Sequence, residues 1–425
     1  MRKIRIGILG GTRGLDFLRH ALYDHPYAEV TAICESYLPL KEKIAEELRV
    51  SVPGVRVFSE YSEFLDSDLD AVIIANFANE HAPYAIQALN RGMHVCSECL
   101  PTQTMKQAVE LCEAVEKSGK LYAYAENYCF LPTVLEMRRI LESGSLGELM
   151  HMEGNFINDC SMRWHLLTRG APNHWRNFVP STFYCTHSIG PMLYASGRRA
   201  VTVVGMETQR MPYLREVGAR SGSAAMEIMQ LDNGGMGKSI NGNYRRRYEA
   251  HYRFIAENGT VEIDRNDFGK IRMFTPIREK DEYLEEVRQA PLAFEAAGVP
   301  EPSKDIPPFH VSDINQINTF VQSILGNAEA KKYMIGVYQA LDMSTVGLLA
   351  YRSILGGSCP IKVPNLRIPA EREAFRNDNR STDASISFGE DLLPTCRDGF
   401  VPVDEEACRK VAERFRNTPL TSGSH

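Results

Sequence analysis

No apolar run in this chain reaches the roughly 18–20 residues of a membrane-spanning helix, which excludes a helical membrane protein. Basic charge is not in excess. The net charge of -6 gives neither nucleic acid nor an anionic bilayer a reason to bind. Internal repeats are absent, so a solenoid is excluded. The ten cysteines show no paired spacing, which excludes a disulfide framework and fits free thiols in a reducing cytoplasm. Cys96 and Cys99 do form a CxxC. No second CxxC and no nearby CxxH accompany it, so no metal is expected. A redox dithiol would need the pair to open a helix. Here Leu-Pro-Thr-Gln-Thr follows, and the helix begins near Thr104.

What is present is ordinary globular material. The chain has 425 residues, 44% hydrophobic and 24% charged, enough for two domains with real cores. Its start, "MRKIRIGILGG", has the basic-then-apolar order of a leader. The apolar run is too short, and glycines end it, so it reads as a first strand. Strand Ile4–Leu9 is followed by a glycine loop and a helical pattern through Phe17, Leu18 and Leu22. "EVTAICE" (29–35), "DAVIIAN" (70–76), "HVCSE" (94–98) and "LYAYAENY" (121–128) read as further strands, with helical spacing between them, including Met105–Lys117. This alternation predicts a doubly wound parallel sheet of Rossmann type. After a helix at Thr133–Ser143 the texture changes. "GELMHMEGNFIN", "AVTVVGMET", "AAMEIMQLD", "GMGKSINGNY", "HYRFIAENGTVEID" and "KIRMFT" are strands, with hairpin turns at "DNGG" and "ENGT". They predict an α+β domain with a large open, mostly antiparallel sheet. Helices return at Ser312–Leu325 and Ala330–Ile354, the latter able to pack back on the first domain. The expected division is 1–128, 129–370, and a polar C-terminal extension at 371–425 that either wraps a neighbouring subunit or stays loose.

The loop reads Gly10-Gly11-Thr12-Arg13-Gly14. It departs from GxGxxG, and an ordinary strand–helix turn can use the same residues. Glu35 decides the matter by ending the second strand, where an acid takes the ribose hydroxyls of a dinucleotide. A carboxylate there repels a 2′-phosphate, so NAD is expected over NADP. Arg13 is placed to sit on a phosphate or stack on adenine.

The segment "DAVIIANFANEHAPYAIQALNRGMHVCSE" resembles the Gfo/Idh/MocA family of sugar and cyclitol oxidoreductases, which shows an "ATP…H" segment followed by "G.HV..EKP". Asn76, His81, His94, Val95 and Glu98 are the matching positions, and the resemblance runs over roughly residues 3–365. It implies a Rossmann domain followed by an α/β domain. It also implies cofactor contacts from Asn76, Ala78, His81, Glu98 and the residue at Cys99. Typical family dehydrogenases keep a Lys at the Cys99 position to move the substrate's hydroxyl proton, and a Pro at Leu100. They also flank a catalytic His with Asp residues, where this chain has Phe183 and Gly190 around His187. One branch, the NAD-dependent α-N-acetylgalactosaminidases, likewise lacks the Lys and carries Y-x-T-H-x-x-G-P. Tyr184, Thr186, His187, Gly190 and Pro191 reproduce that motif. "YAENYCF" resembles the branch too, placing Asn127 at a cofactor contact. "HWRN" places Trp175 and Arg176 at the substrate. A substrate-contacting Tyr of the branch falls at Phe156, and the spacing from Arg176 to Tyr184 is shorter than in the branch.

The resemblance implies a mechanism apart from the usual two-carboxylate scheme. NAD takes a hydride from a ring carbon, C3, the C1 substituent leaves by elimination, water adds and the hydride returns. His187 would be the general acid/base, with Tyr184 assisting and Thr186 lining the substrate. Two other readings stay open. One is a net NAD-dependent dehydrogenase giving a keto-sugar, the other a non-catalytic sugar or NAD sensor. The partner expected is a small sugar or glycoside, in a cytoplasmic homodimer or homotetramer.

Overall fold

The computed structural model describes residues 2–243, 248–277, 279–292 and 306–418, which divide into two units. Residues 2–127 and 306–340 form the first. Its strands are β1 (Ile4–Leu9), β2 (Ala28–Cys34), β3 (Arg56–Phe58), β4 (Ala71–Ile74), β5 (His94–Ser97) and β6 (Tyr122–Tyr124). They make one parallel sheet in the order β3-β2-β1-β4-β5-β6. The order reverses between β1 and β4, the switch point at which such sheets take ligands. The helices between them are α1 (Arg13–Phe17, continued by a wider turn over Leu18–Leu22), α2 (Leu38–Ser51), α3 (Tyr61–Leu65), α4 (His81–Asn90) and α5 (Met105–Ser118). α5 starts where expected: the Thr104 side chain accepts from the backbone N–H of Gln107 and so caps it.

Ile6, Ile8, Ile33, Ile73 and Phe17 anchor the core of this unit, and Ile317, Phe320 and Val321 complete it. Those three lie on the helix Pro308–Ile324. That apolar stripe is why residues 306–340 go with the first unit, a difference from the uninterrupted second domain expected over 129–370. The helix expected over Ala330–Ile354 is two, Ala328–Tyr333 and Val337–Leu355.

The second unit holds residues 128–292 and 341–418. It begins with α6 (Pro132–Glu142), β7 (Leu149–Ile157), α7 (Trp164–Thr168), α8 (Thr186–Ser196), β8 (Ala200–Glu207) and α9 (Pro212–Arg215). Then come β9 (Ala224–Leu231), β10 (Met236–Gly242), β11 (Glu249–Ala256), β12 (Gly259–Ile263), β13 (Lys270–Ile277), β14 (Glu282–Gln289) and, later, β15 (Ile361–Lys362). The nine-stranded sheet runs β14-β13-β12-β11-β7-β10-β9-β8-β15, antiparallel except at β7 and β10. Tyr244, which ends the strand expected from "GMGKSINGNY", lies outside the described residues.

Alternation along the strands buries one face against α8 and leaves Met206, Ile228 and Met236 exposed on the other. Gly154 makes the seating of α8 possible, since a Cβ there would stand 2.3 Å from the Ser188 carbonyl. Residues 371–418 pack on this same unit. Arg352 forms a bidentate pair with Asp378 at 2.6 and 2.7 Å, the Tyr351 hydroxyl donates to the Pro394 carbonyl, and Glu207 accepts from the Arg397 N–H. Among the described residues no helix is long and apolar enough to cross a membrane.

Candidate functional site

In the first unit the expected cofactor residues gather at one edge of the sheet, beyond the carboxyl ends of β1, β2, β4, β5 and β6. Gly10 has φ +100°, and a Cβ there would lie 2.4 Å from the Ala75 carbonyl oxygen, so only glycine lets the loop pass over β4. Gly14 seats α1 on β1 in the same way, its missing Cβ facing Ile8. Thr12 is half-buried in the turn between them. Glu35 follows β2, and its carboxylate accepts the Gly11 N–H and the Tyr37 N–H, both at 2.8 Å. The acid expected at the ribose thus also fixes the glycine loop.

Arg13 is used differently from either role expected of it. Its guanidinium donates to Glu98 at 2.6 Å and, as a fork, to Asp313 at 2.7 and 2.6 Å. It also lies 4.3 Å from the Phe17 ring and 5.4 Å from the Phe309 ring. Burial opposes its charge, but Asp313 and Glu98 outweigh burial and hold it firmly protonated. The guanidinium is therefore a half-buried cation already held by two carboxylates. Asp313, which sequence reasoning missed, lies 300 residues away on the helix Pro308–Ile324.

Asn76 follows β4, donates to Glu80 at 2.8 Å, and keeps a buried side-chain oxygen without a partner. Ala78 and His81 are buried. The His81 ring nitrogens face the Leu100 and Asn76 carbonyls at 2.9 and 3.3 Å, tying the segment after β4 to the segment after β5. Burial lowers its pKa, against the opposing pull of Glu98 and of the two carbonyls. At the position where a Lys would stand, Cys99 donates to the fully buried Glu126 carboxylate at 3.2 Å. Burial first, then Glu126, raises that thiol well above the ordinary range, and burial raises Cys96 as well. Asn127, buried, opens the short 3-10 turn after β6.

In the second unit the reactive candidates form an aromatic cluster. A 3-10 turn over Phe183–Cys185 runs into α8 and presents Tyr184 and His187, both half-buried. Pro191 lies inside α8 and has no N–H for the carbonyl four residues back, that of His187. The Tyr252 hydroxyl, from β11, donates to that carbonyl instead. The His187 ring meets Phe156 at 4.6 Å, Tyr128 at 4.8 Å and, stacked, Tyr184 at 5.6 Å between centroids. The Tyr248 hydroxyl donates to that of Tyr128 at 2.6 Å. The Arg176 guanidinium lies 4.5 Å from the Trp175 ring and 5.3 Å from the Tyr184 ring. Arg176, Trp175, Tyr184, His187 and Phe156 are therefore brought together as expected from the motifs. Thr186, expected to line the substrate, is fully buried at the start of α8. Tyr128, Tyr248 and Tyr252 were missed. Tyr128 was within reach of the "YAENYCF" match, whereas the other two become neighbours of His187 only through strand pairing.

Residues 4–126 match the Gfo/Idh/MocA oxidoreductase family, NAD-binding Rossmann fold. Over 250 residues the chain is 27% identical to glycosyl hydrolase family 109 protein 5 of Phocaeicola vulgatus, covering 55% of this chain and 48% of that one. It is 26% identical over 204 residues to an alpha-N-acetylgalactosaminidase of Shewanella oneidensis, covering 45% of this chain and 44% of that one. The chain thus spans about half the length of the curated relatives it matches. Among solved structures, levoglucosan dehydrogenase in complex with NADH and L-sorbose superposes with a TM-score of 0.68 at 17% identity, over 86% of this chain and 100% of that one. An inositol dehydrogenase homolog from Azotobacter vinelandii, complexed with NAD+, does so with a TM-score of 0.70 at 14% identity, over 85% and 98%. These two likenesses show the shared fold, and the resemblance read from the sequence is met by the family and by the named relatives.

Proposed function

We propose that the chain is an NAD-dependent enzyme that acts on a sugar or glycoside and cleaves the glycosidic bond without net oxidation. The observation that carries this is His187, a half-buried imidazole at the head of α8 walled by Tyr128, Phe156 and Tyr184. The first unit suits the cofactor: Gly10 lets the loop pass tightly over β4, and Glu35 offers a carboxylate at the end of β2 as an acceptor for the ribose hydroxyls. The names of the curated relatives support a glycoside as substrate.

When bound, NAD supplies a reversible hydride acceptor for a sugar ring carbon, C3 in this reading. The chain's own residues then have proton transfer as their task. A ketone beside C2 makes the C2–H acidic enough for an imidazole to remove. His187 supplies that ring, and it is held in place by its neighbours' rings and by the Tyr252 bond to its carbonyl. Tyr184, stacked on it, is the second proton-transfer group, able to take the C2 proton or protonate the departing oxygen. The rings of Tyr128 and Phe156 shield the imidazole from bulk water, and Arg176 with Trp175 orients the substrate.

The test is a mass balance on a glycoside panel in D₂O with the NAD-loaded protein. Aglycone should appear without net NADH, and the released sugar should carry deuterium at C2. His187→Ala should remove roughly 10²–10⁴-fold of turnover, the usual worth of a positioned acid/base, while NAD binding stays nearly intact. Absence of deuterium at C2 would leave a net dehydrogenase as the reading. Full turnover in His187→Ala would end the assignment.

A further inference from the structure

From Ser161 to Met206 the chain contains no Asp or Glu, yet it carries Arg163, Arg169, Arg176, Arg198 and Arg199. Arg198 and Arg199 are paired with Glu148 and Asp342. Arg176 is half-buried and differs. Among the described residues its guanidinium has no carboxylate in ion-pairing distance and donates no hydrogen bond. It is held only through its faces, by the Trp175 and Tyr184 rings. Ring contact of that kind fixes a guanidinium and leaves its in-plane N–H edges for a planar acceptor. Beside it, the Trp175 indole N–H is buried without a partner, although the residue is only 5% exposed. A second sign of uncompensated positive charge is His174, whose pKa is pushed down to about 3 by burial first and then by Arg176 and Arg169.

A half-desolvated cation with no internal anion, next to an orphaned buried donor, is an arrangement that a ligand completes. We infer that Arg176, with the Trp175 N–H beside it, takes an anionic group on the sugar, so that the substrate is an acidic glycoside of the uronate class. Arg176 and His187 approach the same Tyr184 ring, at 5.3 and 5.6 Å. Both therefore border one ring, which places the anion site and the proton-transfer group in the same cluster. The inference rests on the reading of the His187 cluster as the substrate end, and it narrows that reading to a substrate class.

Calorimetric titration of the NAD-loaded full chain tests it with D-glucuronate, D-galacturonate, D-glucose, D-galactose and D-galactose 6-sulfate. The uronates should bind about ten- to a hundredfold more tightly than the neutral hexoses, the range of a charge-assisted hydrogen bond. Tight binding of the 6-sulfate as well would identify any anionic C6 substituent as sufficient. Tight binding of the uronates alone would identify the planar carboxylate. Arg176→Gln should erase the preference, and Arg176→Lys should keep part of it. If Arg176→Gln fails to fold, the wild type still decides, because uronate binding must weaken with added salt while hexose binding does not. Equal affinity for uronates and hexoses, no binding of any of the five sugars, or a preference that survives Arg176→Gln overturns the inference. Neutral glycosides cleaved with C2 exchange as readily as acidic ones would sink it and leave the proposed function standing. Arg176-dependent uronate binding without C2 exchange would do the reverse.

Discussion

Glu227 lies on β9 with its side chain fully buried on the face covered by α8. It stands opposite Gly205 on one side and Ser239 on the other. Asn241 donates to both of its oxygens at 2.8 and 3.0 Å, and Ser239 is its other side-chain partner. Ser239 in turn meets Ser188 at 2.6 Å, and Ser188 donates to the Cys185 carbonyl at 2.8 Å. Counting hydrogens favours a neutral acid. A protonated Glu227 donates to Ser239, Ser239 to Ser188, and Ser188 to Cys185, so every contact is made. An ionised Glu227 must take the Ser239 hydrogen, Ser188 then turns to Ser239, and Cys185 loses its donor. Burial agrees, pushing this carboxyl up from 4.5 to about 7. Such a group is neutral in both states at low pH. As pH rises from about 4.5 to about 7 the unfolded chain loses its proton while the folded chain keeps it, so stability falls and then levels off. The full cost is ~3 kcal/mol on the alkaline side. Glu227→Gln removes it, because an amide can donate to Ser239 at every pH, with the Asn241 amide turned to face it. Urea melts of both proteins should nearly coincide near pH 4.5 and should separate by about 3 kcal/mol, with the variant more stable, near pH 8. A stability difference that does not change between those pH values would refute the protonated carboxyl and the hydrogen count with it.

Two further outcomes follow from the first unit. NAD should bind more tightly than NADP, and Glu35→Gln should narrow that gap about tenfold while weakening both, because the carboxylate opposes a 2′-phosphate and also holds the Gly11 N–H; fluorescence titration of both cofactors reads it, and an unchanged ratio would remove Glu35 from the site. Replacing Cys96 and Cys99 with Ser should leave turnover within a few-fold, roughly the effect of a changed packing contact, since burial keeps both thiols protonated. A thiol reagent on the native protein should label the exposed Cys359 before either of them, and early labelling of Cys99 would revive a reactive role.

Both sheets were legible because their signals are local. β1, β2 and β4 in the middle of the first sheet are mostly apolar and buried, and the "DNGG" and "ENGT" turns set the β9–β10 and β11–β12 hairpins. The strands that went unseen lie at the edges, where burial does not shape composition. β3 is three residues long, and β14 reads "EYLEEVRQ", almost all of it exposed. Charge on an outer strand protects a sheet edge, and it also hides the strand from a hydrophobic pattern. The helix Pro308–Ile324 was recognised as a helix but not as part of the first unit. Its partners Ile6, Ile33 and Phe17 are some three hundred residues earlier, and no periodicity encodes that return.

The site divides along the same line. Gly10, Glu35, His187 and Arg176 could be named because each stands at a fixed place in a short motif, and the chemistry of such a motif is carried by its own backbone. What those residues touch was not legible. Arg13, read from its loop position, suits a phosphate, and only the distant Asp313 reveals that its charge is already taken. Pro191 shows the converse. As a letter in the motif it has no stated purpose, and in the fold it removes the donor that would have satisfied the His187 carbonyl. Tyr252 then supplies the missing hydrogen from a strand, joining the head of α8 to the sheet beneath the imidazole. A proline inside a helix thus serves here to bond a catalytic candidate's backbone to a different element, a role that exists only once β11 has paired with β7. Sequence can locate such a group, but the contact that holds it belongs to the tertiary structure.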